Sequence, residues 1–398
     1  MSEMANCGQS DCREECSNVL GRQWLNLLLQ GHSFIVRLGH SHILPCIGLS
    51  AVRHFGHFCH FSIFIAGVLI GAASLSAQSG QSAERMRPVA SLPAEMCGRF
   101  REATSFVQTT AGDYLVLDRR DHTVFSVDKA RTRVTTVMKA GMEKGNVLQP
   151  GMLSLSKDDT FAVSDAPFGQ ERVQMFFDNG ASLGAFLLPG ITAPRLTTGP
   201  LILNGTGSMH FTGKTLLINA PDSGALVSVL NLEGHVVRQI GTLRATGHEA
   251  DRALHLALNV GLPLETADGG VIFVFQTGVP MFRKYAADGR LEFERHIEGT
   301  VLDGYVQTLP TTWPTRKIGD GTYPMVPPVI RTAALSPAGD LWVSLVAPFT
   351  FVYNAAGDKT RTVMFDATGA FSPTSLFFSR ASGTLRLLVM PGCYEFSS

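Results

Sequence analysis

Beyond residue 100 the chain alternates short apolar strands with polar, glycine-bearing turns, and it repeats one such unit six times. Each copy is organised about a hairpin whose second strand is an apolar-rich run: residues 113–118, 160–165, 214–219, 271–276, 340–345 and 384–389. The turns before these runs, such as Thr110-Ala111-Gly112, carry residues that supply positive φ or local hydrogen bonds. Copies two to six then reach a proline (Pro167, Pro221, Pro280, Pro348, Pro391), and a third strand of alternating apolar residues follows. Four copies continue through a second glycine turn, at Gly180, Gly234, Gly289 and Gly357, into a fourth strand. Period-two patterns outnumber helical ones throughout. A four-stranded meander at this spacing predicts an all-β, six-bladed β-propeller over residues 87–398, each blade burying its faces only against its neighbours.

The sixth copy ends with its third strand, around Tyr394-Glu395-Phe396, so one outer strand is missing. Residues 87–92 are the candidate to fill it, giving a ring closed by strands from both ends and free of an exposed sheet edge. An N-terminal strand antiparallel to the last one would bring Cys97 to Cys393, the only cysteines after residue 59. The seam therefore predicts a disulfide between them, with two buried free thiols as the alternative. In the chain-entropy model so long a loop gives roughly 5 kcal/mol, an upper figure because the folded ring already restrains its ends.

Residues 61–73 form an uncharged apolar run, and Ser74-Leu75-Ser76-Ala77 offers small residues suited to signal-peptidase cleavage after Ala77. Such a run is short for a membrane span and suits the apolar core of a signal peptide. The expected organisation is an N-terminal extension over 1–60 that is unstructured or wrongly included, a signal segment over 61–77, a linker over 78–86 and the propeller. A start at Val52 would give a short basic n-region; the rival is a membrane-anchored protein with a cytoplasmic tail. Five of the seven cysteines lie in the first sixty residues, but Cys7, Cys12 and Cys16 lack the paired spacing of a zinc site. These features predict a secreted or periplasmic protein, touching a membrane only if residues 61–77 stay uncleaved. Lys+Arg and Asp+Glu number 33 each, with no basic run, which argues against nucleic acid as a partner.

Blade one, Tyr114-Leu115-Val116-Leu117-Asp118 running through its turn to Asp128, resembles the repeats of NHL-type six-bladed β-propellers, in which a strand ends in Asp before a turn and a second strand. Blade two keeps the Asp as Asp165, blades three and four have Asn219 and Gln276, and blades five and six depart with Leu345 and Val389. The resemblance covers about residues 100–396 and implies architecture; propellers of this kind include interaction modules, lyases and lactonases. Lactonase-like members suggest that Asp118, Asp165, Asn219 and Gln276 could together hold calcium (Ca2+), which takes carboxylate and amide oxygens and would polarise a substrate carbonyl. The competing expectation is that each side chain accepts hydrogen bonds from its own turn.

In a propeller the loops between second and third strands share a face with the connections from one blade to the next. The proline loops therefore lie on the same face as two long insertions, residues 244–255 and 299–331. The second carries Tyr305, Trp313, Arg316, Tyr323 and Arg331, residue types that anchor interfaces, and is stiffened by prolines. Trp313, between Pro310 and Pro314, is expected to be held exposed, the alternative being a lid that plugs the channel. His248, Glu249, Asp251 and His255 lack the helical zinc-protease spacing and read as a surface loop, and His210 and His296 as packed strand residues. Two functions follow: an exported scaffold binding a protein, peptide or glycan through the insertion face, or a metal-assisted hydrolase or lyase at the channel mouth.

Overall fold

A computed structural model describes residues 83–397 apart from 168–169, 189–195, 199–200, 204–207, 319–320 and 382, and gives no side-chain account of 196–198, 201–203 and 318. The expected extension, signal segment and first part of the linker lie outside the described residues. Six blades, each with a four-stranded antiparallel meander, follow one another, as the hairpin pattern predicts, and the sheet of the fifth gains two further short strands. Their innermost strands are Ala103–Gln108, Met152–Leu155, Met209–Phe211, Gly261–Glu265, Ile330–Leu335 and Ser375–Ser379. The second strands Tyr114–Asp118, Phe161–Asp165, Val271–Phe275 and Leu341–Leu345 are buried at every position. A strand covered on both faces has no polar side, so it reads as a continuous apolar run. Outermost strands such as Leu291–His296 are largely exposed, and His296, expected to be packed, faces solvent there.

The core consists of six apolar layers, one between each pair of adjacent blades. Leu115 and Phe161 meet between blades one and two, Met175 and Phe211 between two and three, Val227 and Phe273 between three and four. Phe282 and Phe351 fill the next layer, Trp342 and Leu387 the one after. Phe106, Tyr114, Leu388 and Met390 join blade six back to blade one, which makes the ring closed.

The seam is built as the two chain ends foretell. Ala90–Ser91 lies antiparallel to the third strand of blade six, with Ala90 opposite Glu395 and Ser91 opposite Tyr394. A short helix, Ala94–Cys97, then carries Cys97 to Cys393, and the two are joined by a disulfide. A second attachment is made by charge. Tyr114 Oη donates to Glu395 Oε1 at 2.6 Å, while the Arg131 guanidinium donates to Glu395, to Tyr114 Oη at 2.9 Å and to the Ser91 carbonyl at 3.1 Å. Burial and the neighbouring Glu395 push the Tyr114 phenol up to about 12. Arg131 sits in the turn between third and fourth strands, at φ +58°, the place where blades two to five carry Gly180, Gly234, Gly289 and Gly357 at φ +82° to +90°. An L side chain pays steric strain in that region, so the seam keeps an arginine at a glycine position and uses its head group as a clasp.

The linker expectation fails at its last residues. Glu84–Met86 runs parallel to the outer strand of blade five, pairing with Val363, Met364 and Phe365. Met86 packs beside Trp342 and Phe365, and Glu84 and Arg85 pair with Arg361 and Asp366. One buried methionine among charged residues left no period-two signal to read.

Candidate functional site

Both long insertions lie on the face of the proline loops, and they fold against each other. The first contains the helix Arg252–Ala257, whose Asp251 cap accepts from the Leu254 amide at 3.1 Å. The second contains the helix Thr300–Gln307 and the hairpin Thr315–Ile318 with Gly321–Pro324. Leu254, Ala257 and Leu258 of the first pack with Trp313 and Val326 of the second in a satellite core. Leu302 ties the second helix to the layer between blades four and five.

Trp313 is therefore not the presented anchor expected from its flanking prolines. It is 8% exposed, and its indole Nε1 has no partner among the described residues. Among the described residues it is the largest side chain of the satellite core, packed with Leu254, Leu258 and Val326. Tyr305 is half-buried, its hydroxyl has no partner among the described residues, and burial pushes it up to about 12. Arg316 and Tyr323 remain available: they oppose each other across the hairpin, with Arg316 exposed. Val279, Val306 and Val346 add exposed apolar side chains on the same face.

Arg244, which the sequence did not single out, joins the first insertion to blade four. Its guanidinium lies 4.4 Å from the Phe275 ring centroid and donates to the carbonyls of Val279 at 2.7 Å, Leu258 at 2.7 Å and Thr277. Burial, with Arg283 nearby, lowers it to about 10. Around it the charged loop residues serve the local backbone. Glu249 accepts from the Thr246 and Gly247 amides, and His255 Nδ1 lies 2.8 Å from Thr246 Oγ1. His248 and Glu249 thus lie in a surface loop as expected, whereas Asp251 caps the helix and His255 belongs to it, half-buried.

The four residues ending the second strands are likewise engaged by protein. Asp118 accepts from the amides of Arg101 (2.6 Å), Glu102, Arg120 and Asp121. Asp165 accepts from Arg172 Nε and Nη2 at 2.8 and 2.6 Å and from the Leu148 amide at 3.0 Å. Asn219 donates to the Leu226 carbonyl at 2.7 Å and accepts from the Gly261 amide at 3.1 Å, linking blade three to blade four. Gln276 donates to the Arg331 carbonyl at 3.5 Å, linking four to five, and its Oε1 is buried without a partner among the described residues. The donor set is thus mostly saturated, and among the described residues no three His, Cys, Asp or Glu side chains gather to hold a metal ion. His210, on the innermost strand of blade three, is partly solvent-reached yet enclosed enough for burial to lower it to about 4, with Lys157 adding to the shift.

No family model and no curated protein sequence matches this chain. Among solved structures it is similar to a protein of unknown function from Bacteroides caccae at 8% identity, covering 66% of this chain and 81% of that one, with a TM-score of 0.41. A streptogramin B lyase is similar at 9% identity over 74% of this chain and 92% of its own, with a TM-score of 0.44. A virginiamycin B lyase from Staphylococcus aureus is similar at 9% identity over 75% and 84%, with a TM-score of 0.43.

Proposed function

We propose that this chain is an exported binding scaffold that recognises a protein, peptide or glycan through its insertion-bearing face. The observation that carries the reading is the satellite core of Leu254, Ala257, Leu258, Trp313 and Val326. Two insertions that share a core hold their surface in one arrangement, so little ordering entropy remains to oppose binding. The face so held offers Arg316 beside Tyr323, with Val279 and Val306, a mixture of guanidinium, aromatic and apolar groups suited to an interface. The Cys97–Cys393 disulfide favours an oxidising compartment, and no helix among the described residues is long and apolar enough to cross a membrane. Kinship with the NHL-type propellers belongs to the same reading and rests on the blade-one motif. A calcium-assisted hydrolase is less well supported, because the Asp118 and Asp165 oxygens already accept from amides and Arg172.

Peptide and glycan libraries selected on the full chain test this reading. The ligands recovered should bind Arg316→Ala and Tyr323→Ala at least about tenfold more weakly, with unchanged melting and no response to chelator. Ligands indifferent to both substitutions, or a chelator-sensitive hydrolysis that requires Asp165, would overturn it.

A further inference from the structure

The mouth of the central channel on the insertion face has features that the insertions do not explain. The innermost strands of blades one and five each carry a β-bulge near their start, and the extra residues are Thr104 and Arg331. Bulges re-aim a side chain at the expense of ladder hydrogen bonds, and they recur beside functional sites. Blade six lies between these two blades, and Thr374 immediately precedes its innermost strand. The three residues thus lie at the same end of the innermost strands of three consecutive blades, Thr104 and Arg331 just inside the strand and Thr374 just before it. Hydrogen bonds join their neighbourhoods to blade six: the Phe106 amide of blade one donates to Ser375 Oγ at 3.4 Å, and Arg331 Nη1 of blade five donates to the Ser372 carbonyl at 3.3 Å.

Their polar atoms are under-used. Thr104 Oγ1 and Thr374 Oγ1 are buried without partners among the described residues. Arg331 is half-buried, and no carboxylate pairs with it among the described residues. Burial lowers it from its ordinary value. Beside it Gln276, only 5% exposed, leaves Oε1 without a partner among the described residues. Turning the amide over would not help, since Nε2 is the atom that donates to the Arg331 carbonyl. A half-buried cation and three unpaired polar oxygens are each costly to leave unmet.

We propose that this mouth, formed by blades four, five, six and one, binds a small organic carboxylate that carries a hydrogen-bond donor on the neighbouring carbon. The Arg331 guanidinium and the Thr104 and Thr374 hydroxyls supply donors for the carboxylate. Gln276 Oε1 is an acceptor, so a bare anion leaves it unmet, whereas a hydroxyl or amide N–H beside the carboxylate satisfies it. This site is separate from the Arg316–Tyr323 surface and goes beyond the scaffold reading.

Glycolate and L-lactate titrated into the full chain, with acetate and inorganic phosphate as comparators, test the proposal by calorimetry and ligand-observed NMR. Glycolate or lactate should saturate in the millimolar range or below, about tenfold tighter than acetate. Arg331→Met should abolish saturation, and Arg331→Lys, which keeps the charge but loses the planar fork, should weaken it in part. Gln276→Leu should bring glycolate down to the level of acetate. Arg316→Ala and Tyr323→Ala should leave it unchanged, so failure here and failure of the scaffold reading are distinguishable. The proposal falls if neither hydroxy acid saturates, if a folded Arg331→Lys or Arg331→Met variant binds as the parent does, or if phosphate and acetate match glycolate.

Discussion

Replacing Arg131 by glycine should destabilise the protein, although glycine is the residue that its backbone prefers. At φ +58° the substitution relieves about 1–2 kcal/mol of steric strain, partly offset by the greater freedom of glycine in the unfolded chain. Against this stands Glu395, whose side chain is 7% exposed and loses its cationic partner, with the Tyr114 hydroxyl remaining. Removing one member of a buried pair costs about 3–5 kcal/mol. The Arg131 side chain is 28% exposed, so the lower end applies. The net expectation is a loss of about 1–3 kcal/mol, read from urea midpoints with the disulfide intact. Adding Glu395→Gln removes the stranded charge and should recover most of the loss. An Arg131→Gly variant as stable as the parent, or more so, would refute the clasp. A double variant no better than the single would show that the stranded carboxylate is not the cause.

Two further outcomes follow from burial. Trp313→Ala should cost about 3–5 kcal/mol in the satellite core, seen as faster proteolysis and hydrogen exchange over residues 244–260 and 297–329; unchanged protection there would return Trp313 to the role of a surface anchor. For His210 the folded protein holds the imidazole near 4 against 6.5 for the free side chain, so the unfolded state binds more protons between these values. The corresponding stability is present above pH 6.5 and is lost as pH falls through about 4, so His210→Gln should flatten that part of the urea-midpoint profile, and an identical slope in the variant would count against the enclosed imidazole.

The blades were legible because their signal is local. Second strands such as 271–275 are covered on both sides and must be apolar throughout, and turns such as those at Gly234 and Gly357 need a residue that tolerates positive φ. Closure was legible for a different reason: a missing outer strand and two cysteines at the ends leave few ways to finish a ring. What tertiary structure alone decided depends on which distant residues meet. Trp313 reads the same whether solvent or Leu254 and Val326 surround it, and only the meeting of two insertions buried it. The ends of the second strands could be read as metal ligands or, more readily, as hydrogen-bond acceptors, and only the fold showed that Arg172, Leu148 and Gly261 are their partners. The bulges at Thr104 and Arg331 leave no compositional mark, since one extra residue in a strand changes its register and not its chemistry. Arg131 is the sharpest case: its own turn argues for glycine, and the reason for arginine lies on Glu395, across the closed seam of the ring.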